Sequence, residues 1–239
     1  MNLLLFILLG GMVGLAVRYY LSHFAYWVAQ EIYQAYRAIF APNIPETMSL
    51  SSTLSPIKCG HFFSFFIYFA AVFIICYCVF NPLYQALFMA CYISLLICIS
   101  LTDWYYQLIS LPLCQALFVL GLGAAWANIS TITLEQSLQS AFSGFMAFYV
   151  IYLLAKWVYA REALGRGDYW LMLGLSSVLH WSQLPLLVLI ACCCAMGYAF
   201  FAKFYKQAYC QLPFAPFLCL ADMVMILLNW KHESMISLF

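Results

Sequence analysis

The chain has 239 residues, 67% of them hydrophobic, 19% aromatic and only 7% charged, with a net charge of +1. Soluble domains carry roughly a quarter charged residues, and nine basic plus eight acidic side chains cannot cover a water-exposed surface of this size, so a soluble globular protein is excluded. The near-neutral balance supplies no broad basic face for a phosphate backbone, which excludes nucleic acid as a partner and leaves the lipid bilayer as the main surroundings.

Apolar runs cover about residues 3–21, 62–80, 83–101, 112–128, 138–158, 169–180, 184–202 and 212–229. They predict an all-α fold, a polytopic integral membrane helical bundle of about eight transmembrane segments. The first run has no Lys or Arg ahead of it and no small-residue cleavage site, so it reads as a retained span. Residues 22–61 follow as a small loop or subdomain. They hold Pro42-Asn43-Ile44-Pro45-Glu46 and a Ser-rich stretch from Met48 to Ser55, and are too few to build a large core. The chain is thereby divided into 1–61, a first span plus loop, and 62–239, a membrane-embedded domain.

Asn81-Pro82 separates the second run from the third. The 34 residues from 169 to 202 would make one helix of about 51 Å, well beyond the roughly 30 Å of hydrocarbon. A hairpin is predicted instead, turning at His180-Trp181-Ser182-Gln183-Leu184-Pro185, with a short sixth segment.

Among eleven cysteines no two stand in CxxC spacing, and residues such as Cys76, Cys78 and Cys192 to Cys194 lie inside apolar runs. They read as small hydrophobes. Cys59-Gly60-His61 lacks two further ligands, so no metal site is predicted.

With eight spans, Arg18, Arg37, Lys58, Lys156, Arg161, Arg166, Lys203 and Lys206 fall on one side and Lys231 on the other. The positive-inside rule makes the crowded side cytoplasmic. Asp103 and Asp168 both stand there, each at the end of a segment. Two carboxylates brought close to one water share a proton, so that one can take a proton from water while the other polarises a carbonyl oxygen. The competing reading is a pair of solvated helix-end acids beside a base such as Arg166. What favours chemistry is the setting of the second acid, Gly165-Arg166-Gly167-Asp168, where two glycines permit backbone turns and close approach of a substrate chain.

Two aspartates, one in a GxGD motif, together with Leu212-Pro213-Phe214-Ala215-Pro216-Phe217 opening the last segment, resemble the type IV prepilin peptidase family over about residues 83–229. That resemblance implies a membrane aspartic peptidase of the bacterial inner membrane, its active site facing the cytoplasm. Its implied catalytic pair is Asp103 and Asp168, with Gly165, Arg166 and Gly167 as the supporting loop. The implied substrates are type IV prepilins or type II secretion pseudopilins. No cofactor is implied for proteolysis. Family members that also methylate the new amino terminus carry paired CxxC motifs in the cytoplasmic loop, of which only Cys59 stands here, so S-adenosylmethionine is implied only if methyl transfer is retained. The family pattern also departs at Ser110 and Leu111, and at Trp170, where a lysine is common.

Two other readings stand beside it. One is a different GxGD protease, such as a preflagellin peptidase, distinguished by the leader it cuts. The other is a small transporter using Asp103, Asp168 and Asp222 as a proton or cation relay. Asp222, inside the last apolar run, is expected to have a structural role. His23, His61 and His180 read as interface polar groups, and Tyr105, Tyr106, Trp157, Tyr159, Tyr169 and Trp170 as an aromatic belt.

Overall fold

The computed structural model describes residues 2–40, 57, 60–159, 165–204 and 212–236. The expectations for the polar stretch 42–55 and for Lys58, Cys59, Arg161 and Lys206 fall outside the described residues. Among those described, every regular element is helical: α1 (Asn2–Phe40), α2 (Phe62–Val79), α3 (Leu83–Tyr106), α4 (Leu111–Trp126), α5 (Leu134–Tyr159), α6 (Arg166–Ser176), α7 (Leu184–Phe204) and α8 (Ala215–Ile236). A 3₁₀ turn at Trp181–Gln183 joins α6 to α7. Five of these helices are long and apolar enough to cross a membrane, and Leu111–Trp126 and Ala215–Asn229 are shorter apolar stretches. The chain is an all-helical polytopic membrane protein, as its composition requires.

The helices fall into two compact units, Met1–Val79 and Phe80–Phe239. In the first, α1 and α2 pack antiparallel. Phe6 meets Phe73 and Tyr77 near one end. Near the other, Arg18 donates to the Gly60 carbonyl at 3.3 Å and lies over the Phe62 ring. The expectation that the chain leaves its helix after residue 21 is corrected here: α1 continues to Phe40. Between Leu15 and Ala41 there is neither glycine nor proline, so nothing in the backbone stops the helix before Pro42. Its 39 residues span about 58 Å, roughly twice the hydrocarbon thickness.

In the second unit the hairpin expected over 169–202 is present, and its first arm is shorter than predicted. With 11 residues, α6 rises only about 16 Å. It packs among α4, α5 and α8, and every residue from Leu171 to Leu179 is buried. That enclosure is what a break in helix requires at membrane depth, where unpaired backbone groups cannot face lipid. The turn after α6 is satisfied internally. Ser177 and Leu179 donate their N–H groups to Gly174 and Ser176, while Ser137 Oγ donates to the Ser177 carbonyl. His180 then caps the 3₁₀ turn, its Nδ1 accepting from the Ser182 N–H at 3.4 Å.

The core of this unit includes Tyr92, Leu96, Ile99, Leu117, Leu171, Leu175, Leu187 and Leu218. On α7, by contrast, Leu189, Met196, Phe200 and Phe201 are exposed, the outward apolar surface of a lipid-facing helix. α5 begins four residues before the apolar run at 138. Thr133 and Gln136 form a capping box, with Gln136 N–H to Thr133 Oγ1 at 3.3 Å and Thr133 N–H to Gln136 Oε1 at 3.2 Å. A polar first turn of this kind is invisible to hydropathy.

Candidate active site

Asp103 lies in the last turn of α3, which closes at Gln107. That residue adopts a left-handed conformation (φ 53°), and its N–H bonds the Asp103 carbonyl at 2.8 Å. The chain thus reverses immediately after the acid and leads through residues 108–110 into α4. Asp168 lies in the first turn of α6, and its Oδ2 accepts the Gly165 N–H at 3.1 Å. The Asp168 N–H returns to the Gly165 carbonyl at 3.1 Å. Both carboxylates are buried, Asp103 at 5% and Asp168 at 6% exposure.

The two acids are close enough for the charge of Asp103 to act on Asp168. Burial pushes the Asp168 carboxyl up to about 7, the like charge of Asp103 adds in the same direction, and the Gly165 N–H pulls the other way. A carboxyl raised to that range exchanges its proton near neutral pH, as a general acid or base should.

The glycines of the GxGD motif differ in what they permit. The expected freedom to turn is not what they supply: Gly165 has an ordinary extended backbone (φ −64°, ψ 141°) and Gly167 is helical. Close approach is. A Cβ on Gly165 would lie 3.1 Å from Asp168 Oδ2, and one on Gly167 would lie 2.5 Å from the Ile109 Cβ. Gly165 therefore leaves room for the carboxylate to fold back on its own N–H group. Gly167 lets α6 press against the segment that follows Asp103. Arg166 is exposed beside a cleft of about 280 Å³, lined also by Ile109, Leu111, Gly167, Tyr169 and Trp170.

Sequence reasoning missed the partner of Asp103. The Ala215 N–H, at the start of α8, donates to Asp103 Oδ2 at 3.1 Å. The Leu212 to Phe217 run, which looked like a mere helix entry, delivers one of the free N–H groups of α8 to the acid. Phe214 is the residue before the helix, accepting from Phe217 and Leu218. Tyr169 and Trp170 are corrected as well. They are half-buried and pack edge-on against Phe145 at 5.4 and 5.2 Å, fastening the start of α6 to α5. Tyr105 and Trp157 are exposed, as an interfacial belt requires, and the Tyr159 side chain lies outside the described residues. Asp222 is fully buried away from the pair and accepts from the Tyr92 hydroxyl at 2.7 Å.

The model of the type IV leader peptidase family matches residues 90–200, a stretch that holds both acids. The chain is 37% identical to a prepilin leader peptidase/N-methyltransferase of Haemophilus influenzae over 223 residues, 93% of this chain and 96% of the relative. It is 37% identical over 134 residues to a type 4 prepilin-like proteins leader peptide-processing enzyme of Escherichia coli, covering 56% of this chain and 49% of that one. A prepilin leader peptidase/N-methyltransferase of Dickeya chrysanthemi is 32% identical over 107 residues, 42% of this chain and 38% of the relative. No solved structure matches the chain.

Proposed function

The chain belongs to the type IV leader peptidase family, and from that premise we propose that it removes the leader of type IV prepilins or type II secretion pseudopilins, with Asp103 and Asp168 as the acid–base pair. What supports this reading is that two buried carboxylates from distant parts of the chain are each held by a backbone N–H at a helix start, with the charge of Asp103 acting on Asp168. The peptidase works from the inner membrane with the pair facing the cytoplasm. The excess of basic residues on that side supports this orientation. Substrates with a basic leader followed by an apolar helix would keep the leader in water and insert the helix in lipid, which brings the scissile bond to the membrane edge.

Hydrolysis follows from one proton shared by two acids. The ionised carboxylate takes a proton from water, and its oxygen attacks the scissile carbonyl carbon. The protonated partner donates to the carbonyl oxygen as it gains negative charge. The tetrahedral diol then collapses: one of its hydroxyls returns a proton to the pair as the C–N bond breaks, the nitrogen takes a proton from the pair, and the pair is left with one proton for the next turnover. The proton count belongs to the pair, which titrates jointly.

The sign of the pH dependence follows. Burial and the neighbouring acid raise the Asp168 carboxyl to about 7, so the pair keeps its shared proton below that range; as pH rises through it both acids become ionised and the carbonyl loses its donor. Leader removal by purified enzyme is expected to fall along the alkaline limb above about 7, and a rate flat to pH 9 would contradict the scheme. Ala215→Pro probes the backbone donor separately. Proline suits the first position of a helix, so the substitution deletes the N–H on Asp103 without removing a bond within α8. A charge-assisted bond contributes about 1.5–3 kcal/mol, and turnover should drop roughly 10- to 100-fold.

Methyl transfer, which the relatives' names add, requires S-adenosylmethionine. Residues 41–56, 58 and 59 of the loop to which the family resemblance assigns that activity, Cys59 among them, lie outside the described residues. Mass analysis of a prepilin coexpressed with the chain tests the proposal: the mature polypeptide without its leader is expected, and an uncleaved precursor beside well-inserted enzyme would refute it. The same spectrum registers any methyl group on the new amino terminus.

A further inference from the structure

Asp222 is the third aspartate of the chain, and hydrolysis does not use it. It sits fully buried on α8, where Oδ2 accepts from the Tyr92 hydroxyl at 2.7 Å and Oδ1 has no partner among the described residues. An acid in such surroundings costs free energy that an apolar pair of the same shape would not. Its contribution must therefore be something other than cohesion.

Helix geometry shows what it can do. Asp222 follows Ala215 by two turns of α8, about 10 Å along the axis, and Tyr92 precedes Asp103 by three turns of α3, about 16 Å. Each pair of residues shares one face of its helix, so both contacts lie on a single α3–α8 seam. The core into which the two helices pack is apolar, with Leu96 and Ile99 on α3 and Leu218 and Met225 on α8. Apolar contact is non-directional and by itself specifies the register of two helices less sharply than a hydrogen bond does. A slip of one residue turns a helix by about 100° and shifts it about 1.5 Å, enough to take the Ala215 N–H off Asp103.

We propose that Tyr92 and Asp222 are a positioning pair, which fixes the rotation and register of α8 on α3 and so holds the Ala215 N–H against the Asp103 carboxylate. This rests on the peptidase reading above. The pair touches neither substrate nor water at the scissile bond; it acts through α8.

The test is steady-state leader removal by the full-length enzyme in lipid nanodiscs, with rates expressed per folded enzyme. Tyr92→Phe and Asp222→Leu each lose the bond and should lower kcat roughly 10- to 100-fold with KM unchanged, the size of effect expected from a misplaced catalytic group. The double variant should be no worse than the worse single one. Asp222→Asn keeps an oxygen that accepts from Tyr92, so it should retain a kcat close to that of the unsubstituted enzyme. Unaltered kcat in both Tyr92→Phe and Asp222→Leu would overturn the proposal. So would an Asp222→Asn enzyme as slow as Asp222→Leu, because the carboxylate itself would then be needed. An unsubstituted enzyme that cleaves nothing, or full activity in Asp103→Asn, would strike the peptidase reading instead, which keeps the two failures distinguishable.

Discussion

Asp103→Asn and Asp168→Asn are each expected to insert normally into the membrane and to leave coexpressed prepilin with its leader attached. Asparagine keeps the size of the side chain and an oxygen that can accept the Ala215 or Gly165 N–H. It cannot take or give the proton. Losing one member of a proton-sharing pair removes both roles, since a single carboxylate cannot be base and acid in the same step. The expected loss is about 10²–10⁴-fold for each general acid or base, and the double variant should be little worse than either single one, because the pair works as a unit. Immunoblotting of precursor and mature pilin reads the outcome. Full processing by a well-inserted Asp168→Asn enzyme would remove Asp168 from the chemistry.

The second large effect is expected at Gly167, and its cause is steric. A methyl group there would meet the Ile109 Cβ at 2.5 Å, a separation that real side chains do not tolerate. Gly167→Ala must push α6 away from the segment behind Asp103 or distort that segment. Overpacking of this kind costs about 1–3 kcal/mol, which a large membrane bundle can survive. The carboxylates, however, would separate, and a displacement of about 1 Å can cost 100-fold in rate. Turnover should therefore collapse in a protein that still purifies and resists protease. A second substitution, Ile109→Gly, removes the Cβ that the new methyl meets together with its substituents, and should restore part of the rate. An inactive double variant, or an active Gly167→Ala, would show that this contact does not set the site.

Much of this was legible from the chain alone. Composition fixes the membrane, because 7% charged residues leave no other solvent for the surface. The candidate acids could be picked out too, since ionisable groups are rare in such a chain and both stand at segment ends. What hydropathy could not register was backbone and side-chain direction. It located the Leu212 to Phe217 run without showing that its first helical N–H meets an acid 112 residues away. It counted Tyr169 and Trp170 as belt residues although they turn inward to Phe145. It ended the first span at residue 21 because polarity rises there, while the absence of glycine and proline carries the helix on to Phe40. Each miss has the same origin: hydropathy reports the surroundings a segment prefers, and not where its hydrogen bonds go.

In the proposed pair the two backbone tethers also bear on which edge of each carboxyl group would carry the proton. In both acids the oxygen bound to an amide is Oδ2, and an oxygen accepting from N–H is the carbonyl-like one, because a hydroxyl oxygen is the poorer acceptor. The travelling proton must then ride on the untethered oxygen of either residue. Neither group can swap its two oxygens by spinning about its terminal bond without giving up its amide, so under the proposed mechanism the stereochemistry of proton delivery is set before any precursor arrives.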